Sequence, residues 1–145
     1  MHLLDDVRSA WGWAGIEPVN VIDDNDFGNL LIEDIRGQYW RLCPEELYCK
    51  VVAGNSEELN CLVKDPEFLS DWHMRALVDE AFQQLGALAP GCKYCLKIPG
   101  VLGGKYDKAN LGTISFDELI RASGDIAQQI AGLPDGTFFE LSVTD

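Results

Sequence analysis

Several stretches of the chain carry residue types that could do chemistry. Gly100-Val-Leu-Gly-Gly-Lys105 suggests a loop that cradles phosphate. A Walker loop needs a glycine five residues before its Gly-Lys pair and a hydroxyl residue after it to meet magnesium. Here those positions hold Pro99 and Tyr106, so the pattern fails and a tight loop with glycines at positive φ is expected. Cys92-Lys-Tyr-Cys95 is a lone CxxC, and only His2 and His73 could complete a metal site. In a strand, residues three apart point to opposite faces, so these thiols are expected not to converge. The acidic run Asp23-Asp-Asn-Asp-Phe-Gly28 resembles a calcium loop with Asp23 at position 1, Asn25 at 3 and Asp34 at 12. Position 5 is then Phe27, which has no ligating atom, and the usual bidentate Glu is an Asp. His73 stands beside Trp72 with no Gly-x-Ser-x-Gly elbow in the chain, and Glu45-Glu46 and Asp117-Glu118 are merely adjacent in sequence. No metal, cofactor or catalytic centre is expected.

The elements that must position these residues can be read from apolar spacing. Leu3, Leu4, Val7, Ala10, Trp11 and Ala14 recur at helical intervals, predicting a helix over 3–14. The stretch 22–28 reads as an acidic turn. Asn29–Ile35 and Gln38–Leu42 read as a hairpin around Arg36-Gly37, followed by a helical turn at 44–47 and a strand over Tyr48–Ala53. Asp65-Pro66 provides an N-cap and a first-turn proline for a helix over 66–85, with Met74, Leu77, Val78, Ala81 and Leu85 as its stripe. Cys92–Ile98 alternates as a strand. Ser115 and Glu118 predict a capping box for a helix over 116–131, and Asp135-Gly136 turns into a last strand, Thr137–Val143. Trp11, Trp40 and Trp72 fall at positions expected to be buried. The order predicts an α+β fold, a mostly antiparallel sheet packed with about three helices, over residues 1–145 as a single domain.

The 145 residues are 47% hydrophobic and 24% charged, a globular profile. Twenty-four acidic residues against 11 Lys plus Arg give a net charge of −13. Such a surface repels nucleic acid and anionic membranes and favours basic protein partners. The first 15 residues lack the uninterrupted apolar stretch of a signal peptide, and no run approaches a membrane span. With five cysteines, an odd number, reduced thiols in a cytoplasmic protein are expected.

Three stretches resemble a known family in order and spacing. They are Phe27-Gly-Asn-Leu-Leu-Ile-Glu33 with Gly37-Gln-Tyr-Trp-Arg-Leu-Cys-Pro-Glu-Glu46; Cys95-Leu-Lys-Ile-Pro-Gly-Val-Leu-Gly-Gly-Lys-Tyr-Asp107; and Ile114-Ser-Phe-Asp-Glu-Leu-Ile120 with Gly124-Asp-Ile-Ala-Gln-Gln-Ile130 and Leu133-Pro-Asp-Gly136. Together, over about 27–143, they resemble the C-terminal domain family of type VI secretion system immunity proteins. That domain often follows a GAD-like domain in bacterial proteins that guard against DNase toxins; the 26 residues before Phe27 are too few for one. The resemblance implies a non-enzymatic protein that binds and neutralises a cognate toxic effector. A nuclease needs a basic cleft for phosphates, so the expected partner is basic. The expected contact residues are Asp23, Asp24 and Asp26 of the acidic turn, Glu33 and Asp34 of the following strand, and Lys105 and Tyr106 of the glycine-rich loop. The competing expectation is a small ligand-binding domain or enzyme, in which Lys97, Lys105 and Tyr106 would converge on one deep pocket.

Overall fold

The computed structural model describes residues 2–133, so the strand expected at 137–143 lies outside the described residues. Helix α1 (Leu3–Trp11) continues into a 3₁₀ turn, Gly12–Ala14, and leads to strand β1 (Pro18–Asp24). The hairpin follows as β2 (Leu30–Asp34) and β3 (Tyr39–Cys43). A 3₁₀ turn at Pro44–Glu46 then enters β4 (Tyr48–Ala53). These strands form one antiparallel sheet in the order β1-β2-β3-β4. Three helices come next, α2 (Ser56–Leu62), α3 (Pro66–His73) and α4 (Arg75–Leu85). Strands β5 (Cys92–Leu96) and β6 (Leu111–Ser115) pair antiparallel as a second sheet, and α5 (Phe116–Ile130) closes the described fold. The α+β class and the antiparallel pairing are as expected.

Period-two alternation places Leu30, Ile32, Trp40, Leu42 and Cys49 on one face of the large sheet. There they pack against Val7 and Trp11 of α1 and against Phe116, Ile120 and Ala127 of α5. Full burial of each such aliphatic side chain stabilises the fold by about 1.5–3 kcal/mol. The two helices cross closely at Gly124, where a Cβ would come within 2.5 Å of the Ala10 carbonyl oxygen. Trp11 also donates its indole N–H to the Ile120 carbonyl at 3.2 Å. A second core joins Phe27, Ala81, Tyr94, Leu96 and Leu111, with α4 and the Met74 that precedes it supplying Met74, Leu77 and Val78.

Several elements depart from the sequence reading. The stretch read as an acidic turn from residue 22 is in part β1, an outer strand of the sheet among the described residues, with two register shifts against β2. Its polar residues hide the strand signal because that side of it needs no apolar cover. β6 was hidden by Gly112 and Thr113, and α2 by its shortness, seven residues with only Leu59, Cys61 and Leu62 to mark a period. Asn55 nevertheless caps α2, accepting from the Glu58 amide at 2.9 Å, while Glu58 accepts from the Gly54 amide at 3.2 Å.

The helix expected over 66–85 is two helices. Asp65 caps the first as predicted, but Met74 adopts the left-handed conformation, φ 49°, and redirects the chain. Neither glycine nor proline marks the break. It lets the two halves serve two places: Phe68 and Trp72 stack near Arg41 of β3, and Leu77 and Val78 reach the second core. Ser115 does occupy the N-cap of α5, but its side chain makes no capping hydrogen bond, so the expected capping box is not formed.

Candidate partner-binding surface

The acidic stretch is a rim pinned from both sides. The side-chain oxygen of Asn25 accepts from the amides of Phe27 at 3.1 Å and Asn29 at 3.0 Å. Its side-chain nitrogen donates to the Trp72 carbonyl at 2.8 Å. Phe27 is buried against Tyr94, ring centroids 5.9 Å apart. Gly28 takes φ 73°, and a Cβ there would lie 2.5 Å from Leu119 Cδ2. Of the positions a calcium loop would use, Asn25 thus holds the backbone and Phe27 fills the second core. Asp23, Asp24 and Asp26 are exposed on this rim. Asp24 forms an ion pair with Lys93 of β5, and the Asp26 carbonyl accepts from the Tyr94 amide at 2.9 Å.

The two acidic residues of β2 part company. Glu33 is half-buried opposite Tyr39. Asp34 is only 2% exposed and turns inward. One of its oxygens accepts from the amides of Arg36 at 2.8 Å and Gln38 at 2.9 Å, closing the hairpin. The other accepts from the Trp40 indole at 2.8 Å. Burial alone would raise the Asp34 pKa, but the bonds from Trp40, Gln38 and Arg36 outweigh it and hold the carboxyl below its ordinary value. Asp34 therefore departs from its expected place on a contact surface: its carboxylate closes the turn.

The glycine-rich loop is shaped by close approach more than by positive φ. A Cβ on Gly104 would fall 1.8 Å from the Ile98 carbonyl oxygen, and one on Gly100 would collide with the Glu46 carboxylate. Gly103 alone among these three needs a left-handed φ, 94°. Buried Asn110 clasps the loop. It donates to the carbonyls of Ile98 at 2.8 Å and Lys105 at 2.9 Å, and accepts from the Ile98 amide at 2.8 Å. Tyr106 donates its hydroxyl to Glu46, and burial followed by that carboxylate pushes its pKa upward.

Lys97, Lys105 and Tyr106 are not gathered into one pocket. Tyr106 borders an open groove of about 780 Å3 between α3 and α4, beside His73 and Arg75. Lys97 borders a different groove of about 380 Å3, between the β5–β6 hairpin and α5. Lys105 borders neither of these two.

One polar cluster escaped the sequence reading. Arg41, in the otherwise apolar run Tyr39–Cys43, is 5% exposed. Its guanidinium donates to Asn29 at 3.0 Å, pairs with Asp71, and lies 5.9 Å from the Phe68 ring and 5.2 Å from that of Trp72. Asn29 in turn donates to Glu45 at 2.7 Å. Burial raises the Glu45 pKa and outweighs the hydrogen bonds that would lower it. The cluster ties β3, the turn after it and α3 together. A lone arginine in an apolar strand was the available signal.

These features define an α+β protein whose described surface includes an acidic rim and the two grooves above. A family model described as T6SS immunity protein Tdi1, C-terminal, matches residues 53–127, just over half of the chain. The chain belongs to this family of type VI secretion system immunity proteins. The matched region runs from the end of β4 through most of α5 and includes the glycine-rich loop. Comparison with curated proteins gave no match. Among the described residues, no helix is long and apolar enough to cross a membrane.

Proposed function

We propose that this protein neutralises its cognate type VI effector by binding it directly in the cytoplasm, without catalysis, and that the effector presents a basic surface of the kind a nuclease uses. Family membership supports the immunity role. The observation that carries the mode of binding is the exposed trio Asp23, Asp24 and Asp26 on a rim that Asn25 holds to α3. Fixed carboxylates can meet lysines and arginines without first being ordered, which lowers the cost of binding. A net charge of −13 speeds encounter with a cationic partner. Glu33, Lys105 and Tyr106 remain proposed contributors at the edges of this contact. Nucleic acid is not the expected ligand, since phosphates would be repelled by the same rim.

The test is co-expression with the toxin encoded beside this gene. Rescue of growth together with co-purification of the two chains is expected. Rescue without physical association would refute neutralisation by binding.

A further inference from the structure

Strand β5 sends its side chains to two sides. Tyr94 enters the second core, while Lys93 lies over the ring of Phe116 at the start of α5, 4.8 Å from its centroid, and is paired with Asp24. Further along, Cys95 and Lys97 line the groove of about 380 Å3 between the hairpin and α5. Its walls are largely apolar, with Leu47, Ile114, Ala122 and Ile126 among them. A Cβ on Gly112 would lie 3.5 Å from Lys97 Cγ and 3.6 Å from its Cε, so the lysine stem runs along the groove wall. Next to this lysine in the chain, Ile98 is 53% exposed, and Val101 beyond it is 57% exposed.

We propose that this groove receives an apolar side-chain anchor of the effector, with a carboxylate beside that anchor meeting Lys97. The inference rests on the neutralisation reading above and names a second contact for it. Three observations select this occupant. The first is continuity with the acidic rim: Lys93, held by Asp24, and Lys97 are four residues apart on one strand and its extension, roughly 13 Å at about 3.3 Å per residue. One interface of ordinary size, about 800 Å2 on each partner, covers both. The second is charge. Lys97 is the one charged side chain among the residues that line the groove, within a chain of net charge −13. This end of the face therefore favours an anion where the rim favours cations. The third is shape. An apolar recess beside exposed Ile98 and Val101, on a loop fixed by Asn110, is the setting in which a buried anchor residue carries binding energy. A second copy of this chain fits less well, because two strongly acidic molecules would have to meet.

The experiment measures affinity for the toxin encoded beside this gene, using wild-type protein, Ala122→Arg, Lys97→Glu and Lys97→Arg. The toxin carries an inactivating substitution so that both chains can be purified. Ala122→Arg fills the groove, and Lys97→Glu reverses its charge at an exposed position that does not threaten folding. Each should weaken binding at least about tenfold, the scale of an anchor contact, while Lys97→Arg stays within about threefold of wild type. If wild type binds and both Ala122→Arg and Lys97→Glu leave affinity unchanged, the groove is not the contact and the proposal falls while neutralisation stands. If wild type itself fails to bind, the neutralisation reading fails and this inference goes with it. Concentration-dependent self-association of the free protein, removed by Ala122→Arg, would assign the groove to a second copy and likewise overturn the proposal.

Discussion

Asn25 donates to the Trp72 carbonyl at 2.8 Å while its side-chain oxygen accepts the Phe27 and Asn29 amides, so one side chain joins the acidic rim to the end of α3. Trp72 lies one residue before the helix ends, two before the left-handed Met74. The rim and the helix break are therefore built on the same contact. Asn25→Ala should lower stability by about 1–3 kcal/mol, because it strands two amides and a carbonyl in a partly buried place. Chemical denaturation measures this. A change below about 0.3 kcal/mol would mean that the turn holds its shape without Asn25.

The buried cluster around Arg41 makes a sharper contrast. Arg41→Ala removes the charge facing Asn29 and leaves Glu45 buried without its nearby cation. A loss of about 3–5 kcal/mol is expected, typical of breaking a buried ionic arrangement from one side. Asp71→Asn should cost less than about 1 kcal/mol, since the Asp71 side chain is 70% exposed and its pair with Arg41 is screened. Equal effects of the two substitutions, measured by urea unfolding, would show that the outer ion pair holds α3 more than the inner hydrogen bonds do.

Asp34 predicts a pH dependence with a definite sign. Its folded-state pKa lies below the ordinary carboxylate value because the Trp40 indole and two amides bond the charged form. The stability it contributes is fully present above the unfolded-state pKa, about 3.9, and is lost as pH falls through the lower folded value. Wild type should therefore lose stability more steeply than Asp34→Asn on acidification below about pH 4. Parallel stability curves for the two proteins over that range would contradict the assignment.

The glycine-rich loop separates two kinds of glycine. Gly104→Ala places a methyl group 1.8 Å from the Ile98 carbonyl oxygen, and backbone cannot yield that far without breaking the Asn110 clasp. Gly103→Ala meets no atom within 4 Å but must hold φ 94°. The first should abolish soluble folding or lower the melting temperature by more than about 10 °C; the second should cost about 1 kcal/mol, a few degrees. Thermal melts that rank them the other way would show that conformation, not space, governs this loop.

What the sequence made legible followed from periodicity. The Arg36-Gly37 hairpin, the strand from Cys92, α5 and the burial of Trp11, Trp40 and Trp72 all carry local apolar patterns that survive folding. The break at Met74 had no local cause to read: Phe68 and Trp72 before it pack near Arg41, Leu77 and Val78 after it join the second core, and Asn25 bonds the carbonyl of Trp72, 47 residues away. β1 was obscured because an outer strand can be polar, and the role of Asp34 because a turn-closing carboxylate and a surface carboxylate look alike in sequence. Convergence of Lys97 and Tyr106 on one pocket was the mark of the competing ligand-binding reading, and the two border different grooves. Arg41 was the opposite case: its position in an apolar strand was visible, while its partners Asn29 and Asp71 come from distant segments.

The rim itself gives the last prediction. Replacing Asp23, Asp24 and Asp26 together with Asn removes three exposed charges and keeps their size. Exposed charges contribute little to folding, so stability should change by less than about 1 kcal/mol; the pair between Asp24 and Lys93 is the only contact of these side chains with a cation among the described residues. If the rim steers a basic effector, the association rate should fall by about tenfold or more at low salt. The rate should also become less sensitive to salt, since screening acts on charges that are no longer there. Dissociation should change less, because most steering acts before the close contacts form. Stopped-flow association with the inactivated toxin at about 50 and 300 mM salt, roughly spanning Debye lengths of 14 to 6 Å, reads both quantities. Wild-type rates and wild-type salt dependence in the triple variant would remove the rim from the interface. Faster dissociation confined to Lys97→Glu would then place the contact wholly on the side of the groove.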